Sequence, residues 1–382
     1  MIPDFTDDDR AVREAVRRFA RKELAPRAAE FDEKAIFVGA HRPGLSELGV
    51  MGLNLPEEFG GAGISALGLT AAVEEIAAAC GATASMVTAH FLATDAILLA
   101  GNSVQKKRYL PDAAAGRTLG AFALTEPAAG SNPAGMTTSA TPVAGGFHLR
   151  GTKHFISNAG HADFIVVFAR SPGEGPLPAI DAFILDKGTK GLSFAPPEPV
   201  MGMRGSHVFE IAIDCDLPAA ARLGDSASGF RIAMRVLDRG RVEVAALALG
   251  LCQAAMKETL AWIAQRQVDG KPLAERQGVQ WMVADMATEI EAARLLTFRA
   301  AALRQAGKPF SREAAMAKLT ASETAGRVID RALQLHGGYG YSRRLPLERL
   351  ARDARILRIY EGASEIQRNI IARQVLREGV PE

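Results

Sequence analysis

Two hydrophobic periodicities divide the chain. Thr6 followed by Asp7, Asp8 and Asp9 reads as an N-cap with acid in the first turn, and Val12, Val16 and Phe19 recur at helical spacing until Pro26. After the loop Pro56–Gly63, the segments Leu67–Cys80 and Thr83–Leu99 carry the same helical pattern. From about residue 120 the period shortens, and Phe147–Leu149, Phe164–Phe168, Ala182–Leu185 and Val208–Ile213 read as strands. They are punctuated by Gly145-Gly146 and by a loop from Ser171 to Pro176. Helical patterning returns near Gly229 and runs to the end, broken at Asp269–Pro272, Gly307–Pro309 and His336–Gly340.

The pattern predicts an α+β chain of three units: an all-α N-terminal domain (1–118), a small antiparallel β-barrel or sandwich (119–228) and a C-terminal helical bundle (229–382). At 382 residues the chain is long enough for more than one core. Strand, glycine-rich turn and helix do not alternate, so a dinucleotide-binding α/β fold is not expected.

Charge narrows the partners. With 45 basic and 43 acidic side chains the net charge is +2, and no concentrated basic face favours nucleic acid. The acidic start MIPDFTDDDR is unlike an export or transit signal, and the longest apolar run, Val244–Leu251, is shorter than the roughly 20 residues of a spanning helix. Cys80, Cys215 and Cys252 are scattered, which predicts buried thiols in a reducing cytoplasm and no metal site.

The stretch RIYEGASEIQ, Arg358 to Gln367, places Glu361 and Glu365 around a Gly-Ala-Ser step. Ser364 and Gln367 have the spacing of a capping box, with Glu365 in the first turn of a final helix where the dipole favours a carboxylate. Glu361 precedes that cap, so helix chemistry offers it no role. The turn Ala123–Gly135 offers hydroxyls and glycine-exposed backbone N–H groups of the kind that cradle phosphate or a flavin edge, with a plain interdomain loop as the alternative, and Gln334–Tyr341 follows a helical pattern over Ala314–Leu333 that it could simply cap. His90, His154 and His161 lack metal-ligand spacing and read as structural.

Taken together, Leu124-Thr125-Glu126-Pro127 with Gly130-Ser131, then Gly151–Asn158, Gln334–Tyr341, Arg352–Arg355 and Ile359–Gly362 resemble, in order and spacing, the acyl-CoA dehydrogenase family. The resemblance runs from Phe5 to Arg373. It implies a three-domain flavoprotein, usually a homotetramer built as a dimer of dimers, that uses FAD to oxidise an acyl-CoA thioester to the trans-2-enoyl product in fatty acid metabolism. An electron-transferring flavoprotein would take the electrons. Glu361 matches the catalytic base. The resemblance assigns Leu124, Thr125, Ser131, Phe155, Ser157, Arg266, Gln277, Gln334, Gly337, Gly338, Ala363 and Glu365 to the cofactor, and Ser131, Asp238, Arg241 and Gly362 to the substrate. Gly240 fits the assignment, because relatives with their base at that helix position lack one at the C-terminal position.

The chain departs from the family pattern at Asn132, Val268-Asp269, Arg344 and Ala363, while Glu365 stands where many members have Gln or Glu. Two other functions share the fold: an acyl-CoA oxidase that returns electrons to oxygen, and a nucleic-acid-associated or non-catalytic flavoprotein. Small residues after Arg241, namely Ala245, Ala246 and Gly250, are expected to leave room for a long or bulky acyl group.

Overall fold

The computed structural model describes residues 4–172 and 179–379. Most of the loop expected at Ser171–Pro176 lies outside them. Helix α1 (Asp7–Phe19) opens with the expected Thr6 cap: Thr6 Oγ1 accepts from the Asp9 amide, and the Asp9 carboxylate accepts from the Thr6 amide, both at 3.1 Å. Asp9 also accepts from Ser65 N at 3.0 Å and Ser65 Oγ at 2.8 Å, tying α1 to the start of a later helix. Short helices α2 (Ala28–Glu33) and α3 (Arg42–Glu47) follow, then α4 (Ala66–Ala79), α5 (Gly81–Ala100) and α6 (Ser103–Ala114). α4 and α5 are apolar on every side, and this suits them to the middle of the molecule, where they are buried along most of their length.

The strands are β1 (Gly120–Ala123), β2 (Ser139–Val143), β3 (Gly146–Ser157), β4 (Phe164–Ser171), β5 (Ala179–Asp186), β6 (Leu192–Phe194), β7 (Val208–Pro218) and β8 (Arg222–Leu223). They form one sheet in the order β6-β7-β3-β2-β4-β5-β8, with β1 paired to β4. Most pairs are antiparallel as expected, but β1 runs parallel to β4, and β2 touches β4 in parallel at Ser139–Arg170. The β2–β3 hairpin serves as the crossover that parallel pairing needs. Four-residue β1, half alanine, carries too little pattern to be read from sequence. Where β3 pairs with β7 the register slips between Lys153 and Ile156, and Phe155 there adopts φ +57.

The last unit is α7 (Gly229–Gln265), a two-residue hairpin of β9 (Gln267–Val268) and β10 (Lys271–Pro272), α8 (Gln277–Gln305), α9 (Ser311–His336), α10 (Leu347–Ile356) and α11 (Ser364–Glu378). α7 is the axis. Its buried face joins α4, α5, α8 and α9 in one core that runs through both helical segments, and Ile232, Ala233 and Val236 near its start pack with the sheet. α5 and α7 are long and apolar enough to cross a membrane, and both are mostly buried within the protein.

Candidate active site

α10 ends at Ile356 and α11 begins at Ser364, and the intervening turn carries Glu361 at φ +50 and Gly362 at φ +94. A left-handed conformation at a glutamate is strained, so other groups must hold it. Gln367 Nε2 donates to the carbonyls of Glu361 at 3.2 Å and Gly362 at 2.8 Å, while Lys318 Nζ of α9 donates to the Gly362 carbonyl at 2.7 Å. These bonds displace the expected capping box. Ala363, whose methyl cannot accept a cap bond, is the N-cap, while Ser364 Oγ donates to Glu323 at 2.6 Å and Gln367 is occupied with the turn.

The Glu361 carboxylate enters a cavity of about 690 Å³ walled by α5, the ends of β1 and β3, α7 and α11. Its Oε2 is buried without a hydrogen-bond partner. Gly240 of α7 lies directly against it: a Cβ at 240 would overlap Glu361 Oε2 and Leu92 Cδ2. Glycine at 240 is therefore what admits the carboxylate. Burial pushes the Glu361 carboxyl up to about 8, with Glu243 adding to the rise and Lys318 and Arg241 opposing it. Such a carboxylate is a stronger base than an exposed one.

Leu124, Thr125, Ser131, Phe155, Ser157, Arg241 and Gly362 line the same cavity, as does Asn132, one of the departures. Phe155 is 57 % exposed, an apolar ring presented to the cavity by the strained backbone of the β3 slip. Asp238 is absent from the lining. It pairs with Arg241 Nη1 and accepts from Ser311 Oγ at 2.9 Å, so it braces the arginine. Ala363 and Glu365, expected near a cofactor, line neither this cavity nor the second cleft described below, and Glu365 faces outward in the first turn of α11. Ala245, Ala246 and Gly250 do not enlarge the cavity: the alanines are fully buried in the helical core, and a Cβ at Gly250 would overlap the Glu74 carbonyl and Ala77 of α4.

Sequence reasoning missed the brace behind the β wall. Lys153 is fully buried, and its Nζ donates to the Leu124 carbonyl at 3.0 Å and to Glu126 Oε1 at 2.8 Å. Glu126 also accepts from Thr137 N at 2.6 Å, Thr137 Oγ1 at 2.8 Å and Thr138 N at 3.0 Å. Both residues stand in the quoted motifs, but only the fold brings their charges together.

A second cleft of about 480 Å³ gathers Arg266, Gln334, Gly337, Gly338 and the departing Arg344, with Val268 also on its rim. Gln277 is exposed at the start of α8 and lies off it. Two buried polar atoms here lack partners, Trp262 Nε1 and His336 Nε2, and His336 Nδ1 donates to the Ala332 carbonyl at 2.7 Å. A Cβ at Gly338 would meet nothing, leaving its backbone open to close approach. Nothing in this cleft or the cavity resembles a metal site, and no cluster of three His, Cys, Asp or Glu suited to a metal occurs among the described residues. His90, His154 and His161 instead bond to Gly120 N, Glu198 and His207.

Helical, sheet and helical units around a cavity with one unpartnered carboxylate define an oxidoreductase of the flavoprotein dehydrogenase class. The chain belongs to the acyl-CoA dehydrogenase family, an FAD-dependent family: models of its N-terminal, middle and C-terminal domains match residues 6–117, 121–215 and 227–376. It is 44% identical to an acryloyl-CoA reductase (NADH) of Anaerotignum propionicum over 98% of this chain and 95% of that one. Identity is 40% to a short-chain-specific acyl-CoA dehydrogenase of Clostridium acetobutylicum, over 98% and 99% of the two chains. Among solved structures, butyryl-CoA dehydrogenase of Megasphaera elsdenii superposes with a TM-score of 0.96 at 39% identity, covering 99% of this chain and 100% of that one. A chain from work on the electron transferring flavoprotein of Acidaminococcus fermentans gives 0.95 at 39% identity, with coverage of 99% and 100%. A glutaryl-CoA dehydrogenase of Mycobacterium smegmatis in complex with FADH2 gives 0.92 at 28% identity, with coverage of 99% and 96%.

Proposed function

We propose that this protein is an FAD-dependent dehydrogenase of a short acyl-CoA thioester, with Glu361 as the base that takes the α-proton. The observation that carries the reading is the buried, unpartnered Glu361 Oε2 set against Gly240 in a cavity whose other walls present Thr125, Ser131 and Phe155. The residues fit the cofactor. Phe155 offers an apolar face to a flavin ring, with Thr125 and Ser157 as hydroxyl partners, and the second cleft offers Arg266, Gln334 and the open backbone of Gly338 to a dinucleotide's far half. FAD, when bound, supplies the acceptor for the β-hydride.

The chain's own residues do the rest. Glu361 Oε2 removes the α-proton, its basicity raised because water is excluded from the carboxylate. The backbone N–H of Glu361 donates to the thioester oxygen where negative charge develops, and the Gln367 and Lys318 bonds to the adjoining carbonyls hold that turn in place. Arg241, braced by Asp238, holds positive charge beside the reacting atoms. Leu92, Leu237 and Met234 give the cavity apolar surface for an acyl chain, and the butyryl-CoA and short-chain-specific relatives support a short one.

Electrons leave to an electron-transferring flavoprotein, a partner supported by the Acidaminococcus structure. The assembly is a homotetramer: Trp281 and Leu295 are exposed apolar side chains about four turns apart on one face of α8, suited to anchoring a second copy. Steady-state assays over thioesters of increasing length, with an electron-transferring flavoprotein or with oxygen as acceptor, test the reading. We expect the butyryl thioester to give the highest kcat/KM with the flavoprotein and little peroxide in air. Preference for long chains, or stoichiometric peroxide, would replace it with a long-chain dehydrogenase or an oxidase.

A further inference from the structure

A second buried carboxylate lies one turn of α7 from the glycine that the base rests against, and the reaction as described leaves it idle. Glu243 is fully buried on α7, three residues beyond Gly240, so it occupies the same helix face one turn on from the point where Glu361 rests. Its Oε1 accepts from Arg304 Nη1 of α8 at 3.1 Å, and its Oε2, like that of Glu361, is buried with no hydrogen-bond partner. Arg304 also approaches Asp95 of α5 at 3.9 Å. Asp95, itself 1% exposed, accepts from Arg239 Nη1 at 2.7 Å and from Asn54 Nδ2 at 3.1 Å. Two acids and two guanidiniums thus form a chain through the helical core that ends at the carboxylate beside the base. Removing such groups from water costs several kcal/mol per ion, and apolar side chains would fill the space without that cost. A packing role does not account for them.

We propose that Glu243 is a positioning residue for this reaction, acting on Glu361 and not on the substrate: its buried charge sets how tightly the base holds a proton, and Arg304, Arg239 and Asp95 hold that charge in place. Two carboxylates on one dry helix face do not ionise independently, and the charge of one raises the proton affinity of the other. The groups that face Glu361 are Arg241 and Glu243 from α7 and Lys318 from α9. The cations favour its ionised form; burial, the larger influence, and the charge of Glu243 oppose them. Around Glu243 stand Arg304, Arg239 and Asp95, and burial is the largest influence on it, pushing its carboxyl up against the pull of Arg304. Neutralising Glu243 removes the one like charge acting against those cations while burial remains, so the base must release its proton at lower pH.

The catalytic consequence rests on the proposed function; the effect on Glu361 does not. The test is an infrared pH titration of carboxylates in the FAD-loaded protein, with Glu361→Gln subtracted to isolate the band of the base. In Glu243→Gln, which keeps volume and an oxygen for Arg304, the midpoint of Glu361 is expected to fall by about one pH unit. Glu243→Met should shift it the same way, and Glu243→Asp, which keeps the charge, should restore the parent midpoint. An unmoved midpoint in a folded neutral variant overturns the proposal. So does failure of both neutral variants to fold while the aspartate variant folds, because Glu243 would then be a structural charge. If the infrared midpoint shifts and the pH profile of flavin bleaching by butyryl-CoA does not, the proposal stands and the assignment of Glu361 as base fails.

Discussion

Glu126 and Glu361 are both glutamates withdrawn from water beside one cavity, and they end in opposite states. Burial pushes each carboxyl up. At Glu126 the hydrogen bond from Lys153 and those from Thr137 and Thr138 overcome that push and hold it at about 2, whereas Glu361 has an unpartnered oxygen and a like-charged neighbour and rises to about 8. The first is a fastener, which fixes Leu124 and Thr125 by spending every acceptor on the fold. The second keeps an oxygen free for a reaction. For this pair, hydrogen-bond satisfaction separates structure from chemistry where burial does not.

The largest effect should come from breaking the fastener. Lys153→Met leaves Glu126 buried and unpaired, and we expect a loss of about 3–5 kcal/mol in stability with release of the flavin, read by denaturant unfolding and by flavin fluorescence. Glu361→Gln should do the reverse. A carboxyl raised from 4.5 to about 8 binds more protons folded than unfolded in that window, so the native state loses stability as pH rises through it. The glutamine variant escapes this loss. It should match the parent near pH 4 and exceed it by about 2 kcal/mol at pH 9 in calorimetry, allowing for partial solvation. Glu126, held near 2, contributes stability that is present above pH 4.5 and lost as pH falls toward 2, so its deletion should matter least in acid.

Gly240→Ala sharpens the comparison from the other side. The added methyl meets Glu361 Oε2 and Leu92, so the carboxylate must move, and kcat should drop about 100-fold while flavin stays bound. Phe155→Ala should have the mildest effect, weakening flavin affinity about tenfold in fluorescence titration without shifting the pH profile.

Much of this architecture is legible in the chain because its parts are local. Thr6 and Asp9 cap α1 from three residues apart, and helical and strand periods mark most long elements. Glu361 could be singled out because no helix end claims it and the family resemblance sets the base there, where local rules alone leave a solvated loop glutamate. Ser364 shows the limit of local rules: its spacing to Gln367 fits a capping box, yet Glu323 from α9 takes its hydroxyl and the Glu361 turn takes the glutamine. Ala245, Ala246 and Gly250 failed for a related reason, since composition does not say which face of α7 meets α4. Lys153 with Glu126, and Glu243 with Arg304 and Asp95, are pairs and networks that only tertiary packing assembles.

Whether Glu361 is the reactive carboxylate is decided most directly by anaerobic mixing of the FAD-loaded protein with butyryl-CoA, following flavin absorbance in the parent and in Glu361→Gln. Parent flavin should bleach, faster as pH rises through about 8 and the base ionises, while the variant binds the thioester and bleaches at least about 1,000-fold more slowly. Equal bleaching in the two proteins would contradict the account.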